Sequence, residues 1–261
     1  MLFAANLSIL WPGLPFADRF ERAARAGFGA VELWWPGPAD ARKVPELAAR
    51  WNLRVALMNF DGGDMAAGER GLAADPARRD DLRGHVPEAL AIARVCDCPR
   101  LNLLIGLRQE RYPLAEQLAC ARDNVAWAAD LAAEAGREVM IEAVNPADHG
   151  PYLLTTTAAA AGFIREVDRG NVRLQYDVYH MQRTEGELSA TMDAYWPLIG
   201  HIQIADVPGR HEPGTGEINY PFILGRIAGK GYQGAVGLEY HPSTGRAEDS
   251  FGWLDDYRRG R

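Results

Sequence analysis

Short runs rich in Val, Ile, Leu and aromatic residues recur along the chain at intervals of roughly 30 residues. They predict strands at Leu2–Asn6, Ala30–Trp34, Arg54–Asn59, Arg100–Leu104, Val139–Val144, Val172–Val178, His201–Ala205 and Ala235–Tyr240. Between them lie Ala- and Arg-rich stretches with helical spacing. These predict helices over Phe16–Ala26, Pro45–Arg50, Pro87–Val95, Ala115–Ala135, Ala158–Asp168 and Tyr220–Ala228. Gly27, Gly136, Gly170, Gly200 and Gly231 stand just ahead of the following strand, where αβ loops favour glycine.

Eight strand–helix units in 261 residues match the size and count of a (β/α)8 barrel. A doubly wound open sheet would carry a Gly-rich phosphate turn after its first strand. The first strand here ends in Asn6-Leu7-Ser8-Ile9-Leu10, without such a turn. No linker, low-complexity tract or charge block divides the chain, so one domain over 1–261 is expected.

Apolar residues make up 48% of the chain, enough for a substantial core. The formal charge of −7 argues against a sequence-independent grip on nucleic acid, which needs a basic surface. No apolar run approaches the ~18 residues of a membrane span. Met1–Leu10 reads as a first strand and not as a signal peptide. The cysteines, Cys96, Cys98 and Cys120, are odd in number and read as structural thiols in a reducing cytoplasm.

In a barrel the chemistry sits at the C-terminal ends of strands. Strands five to eight each place a carboxylate or amide there: Glu142, Asp177, Gln203 and Glu239. Their spacings of 35, 26 and 36 residues are about one βα unit each, so four oxygen ligands converge. Burying three carboxylates together is costly unless a cation joins them. Hard oxygen donors suit one divalent ion, Mg²⁺ or Mn²⁺, whereas zinc prefers His or Cys. His180, just past strand six, lies within reach of this point, and Arg210, after strand seven, could hold an anionic or hydroxylated substrate. Arg70, after strand three, offers a fork suited to a carboxylate. Glu32 points inward as a ligand or a structural ion pair. Gly214-Thr215-Gly216 reads as a turn, since no Lys-Ser/Thr pair follows it. Trp11, Trp34 and Trp35 are read as exposed, either capping the pocket or marking the face of a homo-oligomer.

With these residues in view, the chain resembles the hydroxypyruvate isomerase family of xylose-isomerase-like barrels. The likeness runs from Ala4-Ala5-Asn6-Leu7-Ser8 to Gly252-Trp253. It is carried by Ala66-Ala67-Gly68-Glu69-Arg70-Gly71, Gln175-Tyr176-Asp177-Val178-Tyr179-His180-Met181-Gln182, His201-Ile202-Gln203-Ile204-Ala205-Asp206, Arg210–Tyr220 and Gly237-Leu238-Glu239-Tyr240. The resemblance implies that Glu142 and Glu239 are the acid/base pair and ligate the metal with Asp177 and Gln203. It further implies that His180 and Arg210 contact a small sugar-acid substrate. The chain departs from the family pattern at His241, where lysine is expected, and in the segments Asn145–Pro151 and Trp34–Pro38.

The implied reaction interconverts hydroxypyruvate and tartronate semialdehyde by proton transfer through an enediolate, with a hydride shift as the rival route. Other readings are a 2-oxo-tetronate isomerase or ketose 3-epimerase, an apurinic-site endonuclease, and a non-catalytic sugar-acid binder. The endonuclease uses three zinc ions and histidines on early strands, where this chain has Asn59 and Asn102.

Overall fold

The computed structural model describes residues 1–258, so 259–261 of the expected domain lie outside it. Eight parallel strands close into a barrel in chain order, with the eighth beside the first. They are β1 (Leu2–Asn6), β2 (Ala30–Leu33), β3 (Arg54–Asn59), β4 (Arg100–Asn102), β5 (Glu138–Glu142), β6 (Val172–Asp177), β7 (Ile199–Ile204) and β8 (Ala235–Leu238). Each predicted strand is present: β1 and β3 have the expected bounds, and no end of the others is displaced by more than two residues.

The α-helices that take part in the argument are α1 (Phe16–Arg25), α2 (Pro38–Ala41), α3 (Val44–Arg50), α4 (Arg79–Val95), α5 (Leu114–Glu134), α6 (Pro146–His149), α7 (Thr157–Val167), α8 (Val178–Thr184), α9 (Leu188–Tyr195) and α10 (Tyr220–Gly229). Helices α2, α6, α8 and α9 are not among those expected, and for α4 and α8 the departure has an identifiable reason. Helix α4 begins eight residues before Pro87 and carries that proline inside it, with Asp80 and Asp81 in its first turn. Proline is favoured at a helix start, so sequence reading puts the start there; the acidic pair marks the true one. Helix α8 follows β6 with no loop, because Asp177 Oδ1 accepts the backbone N–H of Tyr179 at 2.8 Å and caps it. The strand signal in Gln175-Tyr176-Asp177-Val178 hides that start.

The main apolar core lies between the strands and the helix layer, where Val31, Leu33, Leu101, Ile141, Leu174, Ile202 and Val236 are buried. Ala4, Ala30, Ala56 and Ala235 form a separate small-residue floor at the N-terminal end of the barrel. Trp11 belongs to the interior: it is buried, packs on Phe251 and donates from Nε1 to Glu248 at 3.2 Å. The expectation that it is exposed is therefore corrected; its apolar neighbours are on the C-terminal segment, distant in sequence. Trp34 and Trp35 are half-buried.

Paired residues on neighbouring strands face the same side of a sheet. The register couples Glu142 with Gln175, Asp177 with Gln203, and Gln203 with Gly237. With Glu239 two residues beyond Gly237, this phase turns all four predicted oxygen donors into the barrel.

Candidate active site

Glu142, Asp177 and Glu239 are all buried at the C-terminal mouth of the barrel. Glu142 Oε2 accepts from Asn102 Nδ2 at 2.9 Å, while its Oε1 has no hydrogen-bond partner. Asp177 spends Oδ1 on the α8 cap and leaves Oδ2 without one. Glu239 Oε1 accepts from Trp34 Nε1 at 2.5 Å and from Asn6 Nδ2 at 3.3 Å. Its Oε2 accepts from Arg210 at 2.6 Å, and the same guanidinium nitrogen stands 3.5 Å from Asp177 Oδ2. Burial and then its acidic neighbours Glu239 and Asp177 push the Glu142 carboxyl well above the usual range. Burial raises Glu239 as well, to about 7, against the opposing pull of Arg210. Asp177 is raised by burial, again with Arg210 opposing.

Arg210 is thus the cation that the carboxylates already have. It sits in the left-handed region at φ 57 in the loop after β7. That loop is gathered around buried Asp206, whose carboxylate accepts backbone N–H groups from Val207, Gly214, Gly216 and Ile218. The Gly214 and Gly216 amides are therefore turned inward on Asp206 and that of Thr215 onto the Glu212 carbonyl, in keeping with a turn. Glu212 accepts from Ser243 and ties this loop to the one after β8.

His180 is fixed from the other side. Asn145 Oδ1 accepts the backbone N–H of Asp148 at 3.0 Å, so its Nδ2 is the group 2.7 Å from His180 Nδ1. His180 Nδ1 must then accept, which leaves the proton on Nε2. Nε2 points at the carboxylates, 3.6 Å from Asp177 Oδ2 and 3.9 Å from Glu142 Oε1. Burial, and then Arg210, hold the ring well below the ordinary histidine pKa, so it is a neutral donor.

Arg70 lies at the edge of the same cavity, of ≈ 50 Å³, lined also by Trp34, Asn59, Tyr152 and His149. Larger hollows of ≈ 690 and ≈ 470 Å³ lie elsewhere and touch none of these carboxylates.

Gln203 is turned toward the layer beneath. Its Oε1 accepts from Gln175 at 2.6 Å and its Nε2 donates to Glu32 at 2.7 Å. Glu32 also bonds Asn6 at 3.0 Å and faces His201 at 2.7 Å, which makes it the structural member of a buried polar layer. A divalent cation is chemically suited to the level above. Atoms of Glu142, Asp177 and His180 lie within 4.8 Å of one another, and two of the carboxylate oxygens there are buried without a partner. Glu142 Oε1 has no cation of its own and Asp177 Oδ2 only Arg210 at 3.5 Å, so both are hard donors with room for a further positive charge. The residues present therefore fit such an ion, with Glu142 and Asp177 as the ready ligands.

Sequence reasoning passed over the residues that hold this set in place: Asn6, Asn102, Asn145 and His149. A signal existed for Asn6, Asn59 and Asn102, which end β1, β3 and β4. Asn145 caps and His149 ends the short helix α6, and they declare themselves only through partners distant in sequence.

Compared with known proteins, residues 20–257 match the family described as xylose isomerase-like TIM barrel. The hydroxypyruvate isomerase of Escherichia coli (strain K12) is 40% identical over 256 residues, covering 98% of this chain and 99% of that protein. A 2-oxo-tetronate isomerase of Cupriavidus necator is 40% identical over 255 residues, covering 98% of each. A solved structure described as an AP endonuclease, family 2, from Brucella melitensis superposes with a TM-score of 0.93 at 38% identity, over 98% of each chain.

Proposed function

The chain belongs to the xylose isomerase-like TIM barrel family, and on that premise we propose that it is a hydroxypyruvate isomerase, an aldose–ketose isomerase of a small sugar acid. One observation carries the reading. Two buried glutamates with raised proton affinity, Glu142 and Glu239, line one cavity together with an arginine, Arg70, that has no acidic partner among the described residues. Two such carboxyls can move a proton between adjacent carbons, and the arginine matches an acid substrate.

Hydroxypyruvate carries a hydroxymethyl group, a ketone and a carboxylate. Glu239, beside Arg210, ionises more readily and takes the proton from the hydroxymethyl carbon. The electron pair moves into an enediolate. Glu142, held by Asn102, returns a proton to the former ketone carbon, while the hydroxyl proton passes to the former ketone oxygen and the aldehyde forms; proton exchange with solvent then resets the two glutamates. The product is tartronate semialdehyde. His180 Nε2–H donates to the oxygen that gains charge. Arg210 keeps Glu239 and Asp177 oriented and tempers their mutual repulsion. A divalent cation, Mg²⁺ or Mn²⁺, held by Glu142 and Asp177 and completed by Glu239 and Gln203, would supply electrostatic stabilisation of that charge. To join it, the Gln203 oxygen would have to leave or share its bond with Gln175.

The zinc nuclease reading finds asparagine at the ends of β3 and β4 and a net charge of −7. No helix of the described residues is long and apolar enough to cross a membrane. The test is proton NMR of hydroxypyruvate in D₂O, with stripped protein before and after Mg²⁺ or Mn²⁺. Metal-dependent appearance of deuterated tartronate semialdehyde supports the scheme. Product without deuterium replaces proton transfer by a hydride shift, and no turnover with either ion rejects hydroxypyruvate as substrate.

A further inference from the structure

The short helix α6 carries a histidine that none of the chemistry above uses. His149 stands at its C-terminal end, and its Nδ1 lies 3.1 Å from Arg70 Nε. An arginine nitrogen only donates, so Nδ1 accepts and the ring proton is on Nε2. That Nε2 is buried and has no hydrogen-bond partner, on a ring that lines the cavity. Burial, and then Arg210 and Arg70, lower the ring's pKa to about 4, so it stays neutral near pH 7.

Arg70 is equally prepared. One terminal nitrogen donates to the Met65 and Glu69 carbonyls, at 2.9 and 2.7 Å. Its Nε is on His149, which leaves the other terminal nitrogen uncommitted among the described residues. A half-buried guanidinium with no carboxylate, next to an orphaned N–H, is an anion site lacking its anion. Arg210, by contrast, is taken up by Glu239 and Asp177.

We propose that His149 is a specificity-determining residue that, with Arg70, receives the substrate's carboxylate and so selects an acid over a neutral ketose. The inference rests on the sugar-acid reading above. Its geometry is set by the rest of α6: Asp148 accepts from Tyr179 Oη at 2.6 Å and pairs with Arg183 at 3.1 Å, anchoring the helix to α8. The two histidines meet edge to face at 5.3 Å, so one short helix orients both donors.

Calorimetry on the Mg²⁺-loaded protein tests this with two probes. Pyruvate keeps the carboxylate and the ketone; dihydroxyacetone replaces the carboxylate by a neutral hydroxymethyl group. Wild type should bind pyruvate more tightly. His149→Phe should weaken pyruvate about tenfold or more and dihydroxyacetone less than about threefold. His149→Gln, which can place an amide N–H near the Nε2 position, should recover most of the loss. Equal weakening of both probes, or unchanged pyruvate affinity, overturns the proposal. Should the variants not fold, histidine-¹⁵N spectra of wild type decide: pyruvate must shift the Nε2 of His149, and a static signal overturns it. Wild type that follows this pattern without isomerising hydroxypyruvate would refute the activity and leave the carboxylate site standing.

Discussion

Glu142 and Glu239 are the same side chain in two settings, and their neighbours divide the work between them. Asn102 gives Glu142 one neutral hydrogen bond, whereas Arg210 gives Glu239 a full positive charge at 2.6 Å. Replacing either by Gln removes a proton carrier while keeping shape. The expected fall in kcat is about 10²–10⁴-fold, measured on hydroxypyruvate, with circular dichroism unchanged. An activity that survives both substitutions would exclude the pair. His149 gives a pH prediction. Its folded pKa of about 4 lies below the ordinary histidine value of 6.5, so the unfolded chain takes the proton first on acidification. Above the higher value both states are neutral and nothing is gained or lost. As pH falls from there toward about 4, the folded state loses stability progressively. The carboxylates have the opposite sign, so the informative quantity is a difference. The Tm of wild type relative to His149→Gln should be lower near pH 5 than near pH 7.5, by melts in matched buffers; a pH-independent difference contradicts it.

Among elements, the loop from β3 to α4 has little freedom at Gly71. Gly71 adopts φ +117, and a Cβ there would lie 2.3 Å from the Leu104 carbonyl oxygen. Its N–H donates to Gly62 at 2.9 Å, and it bridges to Ile105. Backbone cannot yield as a side-chain tip can. Gly71→Ala should cost about 1–3 kcal/mol in denaturant unfolding. It should also weaken pyruvate binding, since Arg70 is the adjacent residue; unchanged stability would show that the loop can relax. Element identity was readable in β1 to β8 because period and length agree there. Pro87 obscured only the start of α4, whereas α8 was hidden by a cap that is also the last strand residue.

At the scale of the whole molecule, a cation bound at the carboxylates links folding to metal. At about a hundred times its Kd, Mg²⁺ or Mn²⁺ should stabilise the protein by about 2.7 kcal/mol. That corresponds to a Tm rise on the order of 5 °C, reversed by chelator. No shift with either ion would remove the metal from the scheme. Closure of the barrel, the inward phase of Glu142, Asp177, Gln203 and Glu239, and the presence of Arg70, His180 and Arg210 near one mouth were all determined by the amino-acid sequence. Strand period and βα spacing are local properties, and they suffice to place backbone positions. Side-chain partners are not local. Gln203 turns to Gln175 and Glu32, Arg210 settles on Glu239 and Asp177, Trp11 is buried, and Asn145 and Arg70 orient His180 and His149. Tertiary structure alone decided these, because a buried donor or acceptor takes whichever partner the closed barrel brings within about 3 Å, at any sequence distance.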